Sequence, residues 1–414
     1  MEPMTVLTKN MFELTQQINT IEEALDTLLS YEHFRTLGDV LRSFTSDPDI
    51  KKRLVSGLNA WFPNDKPDSI DRKVRNWLNG KTFSISKQDA YIISRILELS
   101  LDQTDSFLKY ATGEGIHWRN PKDIVWCYSI LHHTSYTITW KLLEQVEAKK
   151  FPNPRKTQNQ TESYTAAVYE KLQPVLYQDE AALLAFFSEE EERLGHLHNT
   201  AYSQFTKYMD LLKQGYAADG IEALFKEMTK EEKNKAKIRV DGDIGPHKPE
   251  PISVRDILET YFYRNLIPVQ ARGKDTSQNA FSAIQRSIRQ NWPDESILSK
   301  MESRKIDVSR KVLILLFLAT DGCNTDFPDE YTEDDHFTDS YGTNFSDEYE
   351  YVESPEDVFL SIYTRLNILL NDCGFPQLDA RNPFDWMILF CISSGDLWES
   401  DERLHAILTA MFPK

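Results

Sequence analysis

Two distant stretches of this chain open a helix with the same letters. Residues 116–128 read Ile-His-Trp-Arg-Asn-Pro-Lys-Asp-Ile-Val-Trp-Cys-Tyr, and residues 378–390 read Leu-Asp-Ala-Arg-Asn-Pro-Phe-Asp-Trp-Met-Ile-Leu-Phe. Asn is a good cap, Pro suits the first helical position, and Asp in the first turn faces the positive end of the dipole. The residues after each start are almost wholly apolar, so these helices lie inside a core. Val312 to Ala319 and Trp386 to Ile392 are far shorter than the roughly 20 residues that cross about 30 Å of hydrocarbon. Buried helices of this kind require other helices around them, and the expected fold class is all-α.

The remaining patterning agrees. Residues 11–30 read as one amphipathic helix, with Leu14, Ile18, Ile21, Leu25 and Leu28 spaced as a short heptad seam able to pair with a second subunit. Residues 36–150 read as successive helices, 151–251 as a linker and helical connector, and 252–414 as a second helical unit. Pro- and Gly-bearing stretches at 151–163 and 241–251 mark the joints. Between residues 321 and 357 there are 14 acidic residues and no Lys or Arg, a composition expected of a solvated insertion. Four scattered cysteines offer no Cys-x-x-Cys pair, and the first residues lack a secretory signal, so a reducing cytoplasm is the expected setting. The net charge of −18 argues against nonspecific coating of nucleic acid. The charge is uneven, however: residues 33–120 sum to +3 and residues 255–311 to +4.

Within the first basic stretch, Asp68-Ser-Ile-Asp-Arg-Lys-Val-Arg-Asn-Trp-Leu-Asn-Gly-Lys81 predicts a helix capped by Asp68 or Ser69 and ended by Gly80. Ile70, Val74, Trp77 and Leu78 share the face to be buried. Ser69, Arg72, Arg75 and Asn76 point the other way, with Lys73 at the flank. Arg can bridge two acceptors on guanine and Asn can pair with adenine. Ser86-Lys-Gln-Asp89 then reads as a capping box that opens the next helix, and Leu99-Ser-Leu-Asp-Gln-Thr-Asp-Ser-Phe-Leu108 comes after it. From Leu37 to Leu108 the chain resembles the lambda-repressor (Cro/XRE-type) helix-turn-helix family, in which a Val-x-x-Trp-x-x-Gly-Lys ending closes the recognition helix. The resemblance covers under a fifth of the chain and departs from the family in a longer connection before that helix. It implies double-stranded DNA as partner, bases contacted by Ser69, Arg72, Arg75 and Asn76, and phosphates held by Lys73 and Lys81.

Leu298, Met301 and Lys305 can be laid over Val74, Trp77 and Lys81, and both segments then run into an apolar helix. With the shared Arg-Asn-Pro-x-Asp letters, this order suggests an internal duplication of one helical unit, with the acidic insertion in its second copy. One chain would then be pseudo-dimeric, its second copy offering Lys300, Arg304 and Lys305 beside an unhelpful Glu302.

Nothing in the sequence suggests an enzyme or a cofactor. No Gly-rich phosphate loop or nucleophile elbow is present. His132 and His133 diverge on a helix, and His196 and His198, read as helical, also splay, so no metal site is expected. The alternative to a DNA-binding regulator is a protein-interaction scaffold in which the helix-turn-helix has lost DNA. In that case the acidic segment binds or masks a basic surface.

Overall fold

Side-chain oxygens of Ser, Thr, Asn and Asp start most helices of this protein, which is how a chain with 15 glycines and 18 prolines divides itself into short rods. The computed structural model describes residues 5–152, 164–213, 253–268, 282–320, 354–394 and 397–413. Among these residues there are nineteen α-helices and no strand, so the fold is all-α. No helix among them is long and apolar enough to cross a membrane.

Among the described residues the first hydrophobic core is built only from residues between Leu37 and Leu194. It is built from α3 (Leu37–Phe44), α4 (Ile50–Trp61), α5 (Pro67–Leu78), α6 (Lys87–Leu97), α7 (Leu101–Thr112), α8 (Pro121–His132) and α9 (Tyr136–Ala148), joined by α10 (Tyr164–Val175) and α11 (Glu180–Glu189). Trp61, Tyr91, Trp126 and Trp140 form its aromatic centre, with the Tyr91 and Trp126 rings stacked 5.5 Å apart.

The second core draws on both ends of the chain. It takes α12 (Asn199–Lys213), α13 (Val254–Thr260), α14 (Ala283–Arg289), α15 (Glu295–Glu302), α16 (Arg310–Ala319), α17 (Pro355–Asp372), α18 (Pro383–Ile392) and α19 (Leu397–Met411). It also takes α1 (Val6–Thr15) and α2 (Ile21–Ser30), which pack on α18 and α19. The single helix expected over residues 11–30 is therefore two. Thr20 caps α2 in a reciprocal capping box with Glu23 and breaks the run. Met11, Phe12, Ala24 and Leu28 are buried against the second unit, while Leu14, Ile18, Ile21 and Leu25 of the anticipated seam are half-buried. The connector is likewise divided, α10 and α11 belonging to one core and α12 to the other.

The two expected linkers fall largely outside the described residues, as does the acidic segment up to residue 353. Its anticipated end moves: Ser354 and Asp357 form the capping box that opens α17, so Glu356 and Asp357 are helical.

The Arg-Asn-Pro-x-Asp letters carry a common hydrogen-bond pattern. Asn120 and Asn382 cap their helices, accepting from the backbone N–H groups of Lys122 and Phe384. Asp123 accepts from the His117 N–H at 2.8 Å, and Asp385 from the Asp379 N–H at 2.9 Å, six residues back in each case. Each buried carboxylate then meets a cation from the first residue of another helix. Lys87 of α6 lies 2.7 Å from Asp123, and Arg310 of α16 grips Asp385 at 2.7 and 2.8 Å. The carbonyls of the motif arginines hold incoming chain: Gly195 N–H donates to Arg119, and Arg35 N–H donates to Arg381, both at 2.9 Å. Helix neighbours keep the same order, α3 on α5, α6 on α7 and α8 on α9, as α13 on α15, α16 on α17 and α18 on α19.

Candidate nucleic-acid interface

The candidate reading helix is α5. Its apolar face is fixed as expected, with Ile70, Val74 and Trp77 buried between α4 and α3 and Leu78 half-buried. Its start differs from expectation. The helix begins at Pro67, with Lys66 at the cap position and no side-chain cap bond, so Asp68 and Ser69 lie within the first turn. Proline at that position needs no capping partner of its own. The helix ends at Leu78, and Gly80 takes φ +75°, the left-handed turn foreseen for it.

On the outer face Ser69, Arg72, Arg75 and Asn76 are all exposed, and Lys81 is exposed beyond the helix. Arg75 is pre-oriented by Asp71, whose carboxylate lies 2.7 Å from its Nε and 3.0 Å from Lys51 of α4. The hydrogen bond from Lys51, opposed by slight desolvation and helped by the nearby cations, holds the Asp71 carboxyl below its ordinary value. Lys73, the expected phosphate contact, is engaged within the protein. Its ammonium pairs with Asp89 at 2.7 Å and sits over the rings of Trp77 and Phe62. That bridge also explains why Ser86 accepts from the Asp89 N–H without the return bond of a capping box: the Asp89 carboxylate is turned to Lys73.

Helix α4 adds Lys51 and the exposed Lys52 to this surface. Residues 49–81 carry a net charge of +4 in a chain of −18. Of the Lys-Lys-Arg run in α4, Lys51 lies beside α5 through Asp71, whereas Arg53 turns to α6 and donates to the Ile96 carbonyl at 2.9 Å.

The second set of candidates is less available. Lys300 and Lys305 are exposed around α15, but Arg304 is half-buried, with its guanidinium 4.3 Å over the Tyr202 ring of α12. Arg304 has φ +56° directly after α15, as Gly80 has φ +75° after α5. Leu298 and Met301 are buried, as Val74 and Trp77 are. Glu302 is bound to Lys213 of α12.

Between the two units lies a cleft of about 1510 Å³, edged by Arg35, Tyr110, Arg310, Lys311 and Arg381. Its cations are engaged by the protein itself. Arg310 holds Asp385, Arg381 holds Asp379, and Lys311 donates to the carbonyls of Ile288 and Gln290 at 2.9 and 2.7 Å.

A second cluster escaped the sequence reading. His196 and His198 precede α12 in a bend, not on a helix. This leaves His198 free to turn inward, where its ring stacks on that of His117 at 3.8 Å. The buried His117 imidazole is kept neutral, chiefly by desolvation and then by the neighbouring His198 and Lys87. No family model, curated protein or solved structure matches the chain.

Proposed function

We propose that this protein is a sequence-specific DNA-binding regulator that reads the major groove with α5. The observation that carries this reading is the two-sidedness of that helix. Its back is anchored by buried Ile70, Val74 and Trp77, while its front presents Ser69, Arg72, Arg75 and Asn76 uncovered. A recognition helix needs this combination, since it must be held rigidly while its outer side chains stay within reach of base edges. The local charge of +4 supplies phosphate attraction where the whole chain would be repelled. Lys81 is the phosphate contact best placed to act. Lys73 serves to brace α5 on α6 through Asp89.

We further read the chain as two divergent copies of one unit. Support comes from the paired wiring of Asp123 with Lys87 and Asp385 with Arg310, and from the left-handed residues that end α5 and α15. In this reading the second copy contributes Lys300 and Lys305 at most. With Arg304 committed to α12 and Glu302 beside it, that copy acts mainly as a body for the first.

The test is selection of bound sequences from a random duplex pool with the full-length protein, and then binding measurements on the selected site. Arg72→Ala is expected to cost about 1–3 kcal/mol and to relax the base preference at one position. Failure to enrich any sequence, or equal binding by the Arg72 variant, overturns the reading.

A further inference from the structure

Three chain segments that belong to different parts of the molecule meet at one point. His117 comes from the turn between α7 and α8, His198 from the bend before α12, and Asp307 from the turn before α16. The first belongs to unit one, the last to unit two, and His198 lies on the connector between them. One nitrogen from each imidazole and one Asp307 oxygen all lie within 4.8 Å of one another. We propose that His117, His198 and Asp307 form a binding site for a divalent transition-metal ion of the zinc class, placed at the joint between the two units.

The donor set carries the chemistry. Two imidazoles and a carboxylate suit zinc, cobalt and nickel, whereas magnesium and calcium prefer oxygen alone. Three protein donors leave a coordination position for water. The backbone holds each donor in place. The His117 N–H donates to Asp123 at 2.8 Å, the His198 N–H to Asp307 Oδ1 at 3.0 Å, and the Val308 N–H to the same oxygen at 2.9 Å. His198 Nδ1 and Asp307 Oδ2 lie 2.5 Å apart.

An independent observation points to a missing ligand. His117 is 5% exposed, and its Nδ1 is buried with no hydrogen-bond partner. An orphaned buried nitrogen is costly, and native structures rarely keep one without a reason. A metal ion would supply the absent partner. Lys87 is the cation that would oppose the ion most, and it is neutralised by Asp123 at 2.7 Å and Glu114 at 3.6 Å.

The His117 and His198 rings lie stacked. With an interplanar angle of 21°, their in-plane lone pairs run side by side and do not converge. Binding therefore turns one ring and replaces the His198 Nδ1–Asp307 hydrogen bond with the ion, the imidazole keeping its single proton on Nε2. Metal would thus tie unit one, connector and unit two together. This inference stands independently of DNA binding.

The experiment is calorimetric titration of chelator-stripped full-length protein with zinc, and with cobalt monitored by visible absorption. One ion per chain is expected, with a cobalt spectrum of low coordination number. His198→Ala and Asp307→Asn are each expected to weaken binding at least about 100-fold, while His33→Ala, on an exposed turn, leaves it unchanged. Circular dichroism reports whether each variant keeps its helices. If a variant fails to fold, histidine resonances of the wild type shifted by bound cobalt identify the ligands directly. Absence of stoichiometric binding to the wild type overturns the proposal, as does unchanged affinity in both folded variants or a cobalt shift confined to other histidines.

Discussion

Asp123 and Asp385 show how one carboxylate can organise several elements. Each closes the turn before its helix and accepts a cation from a second helix. The Asn-Pro-x-Asp start was legible, because capping chemistry is local. The partners Lys87 and Arg310 were not, since they lie 36 and 75 residues away and only packing selects them. Asp385→Asn would leave Arg310 at the cleft wall without its counter-charge, and a loss of about 3–5 kcal/mol is expected. Urea unfolding measures it, and a loss under about 1 kcal/mol contradicts the assignment. Lys311, next in sequence, behaves differently. Burial pushes its ammonium down to about 7, with Asp385 opposing and Arg310 adding to the effect. An unfolded lysine titrates near 10.4, so between about pH 7 and about pH 10.4 the unfolded chain holds more protons than the folded one. Lys311 therefore contributes a penalty that is full below about pH 7 and fades as pH rises. Lys311→Met should flatten the rise of unfolding free energy between about pH 7.5 and pH 9.5; an unchanged slope would show that the shift is absent.

At the scale of elements, α5 was read well and α1–α2 was not, for one reason. The α5 pattern is dense enough that buried and exposed sides separate by spacing alone, and Ile70, Val74 and Trp77 are indeed buried. In residues 11–30 the apolar spacing continued through a break that Thr20 and Glu23 impose, and a capping box inside an amphipathic run competes poorly with periodicity on the page. The close approach of α3 to α5 was also hidden. A Cβ on Gly38 would sit 2.8 Å from the Leu78 carbonyl oxygen, an atom that also accepts from Arg42 at 2.7 Å. Backbone cannot yield there as a side-chain tip can, so Gly38→Ala must push the helices apart. It is expected to lower stability by about 1–3 kcal/mol, and a variant as stable as the wild type in thermal unfolding would show that α3 and α5 do not meet so closely. The His117–His198–Asp307 cluster is illegible in the sequence for a related reason: its members lie 81 and 109 residues apart, and the bend before α12 carries no strong signal.

At the scale of the molecule, the packing boundaries differ from those that composition suggests. Among the described residues the first core uses only 37–194, including α10 and α11 that read as connector, whereas the second gathers residues from 11 to 412. A fragment spanning residues 33–196 is therefore expected to fold by itself with one cooperative transition, while a chain lacking residues 1–34 exposes the apolar sides of α18 and α19 and self-associates. Circular dichroism on the first and size-exclusion chromatography on the second decide this; a molten fragment or a monomeric truncation contradicts the division. The seating of α1 and α2 on the last helices also orders events on the ribosome. Unit one can close while the rest is still being made. Met11, Phe12, Ala24 and Leu28 leave the exit tunnel more than 300 residues before their partners in α17, α18 and α19. Until those partners emerge, the apolar sides of α1 and α2 have nowhere to dock, and a chaperone that covers them would set the pace at which the second core closes.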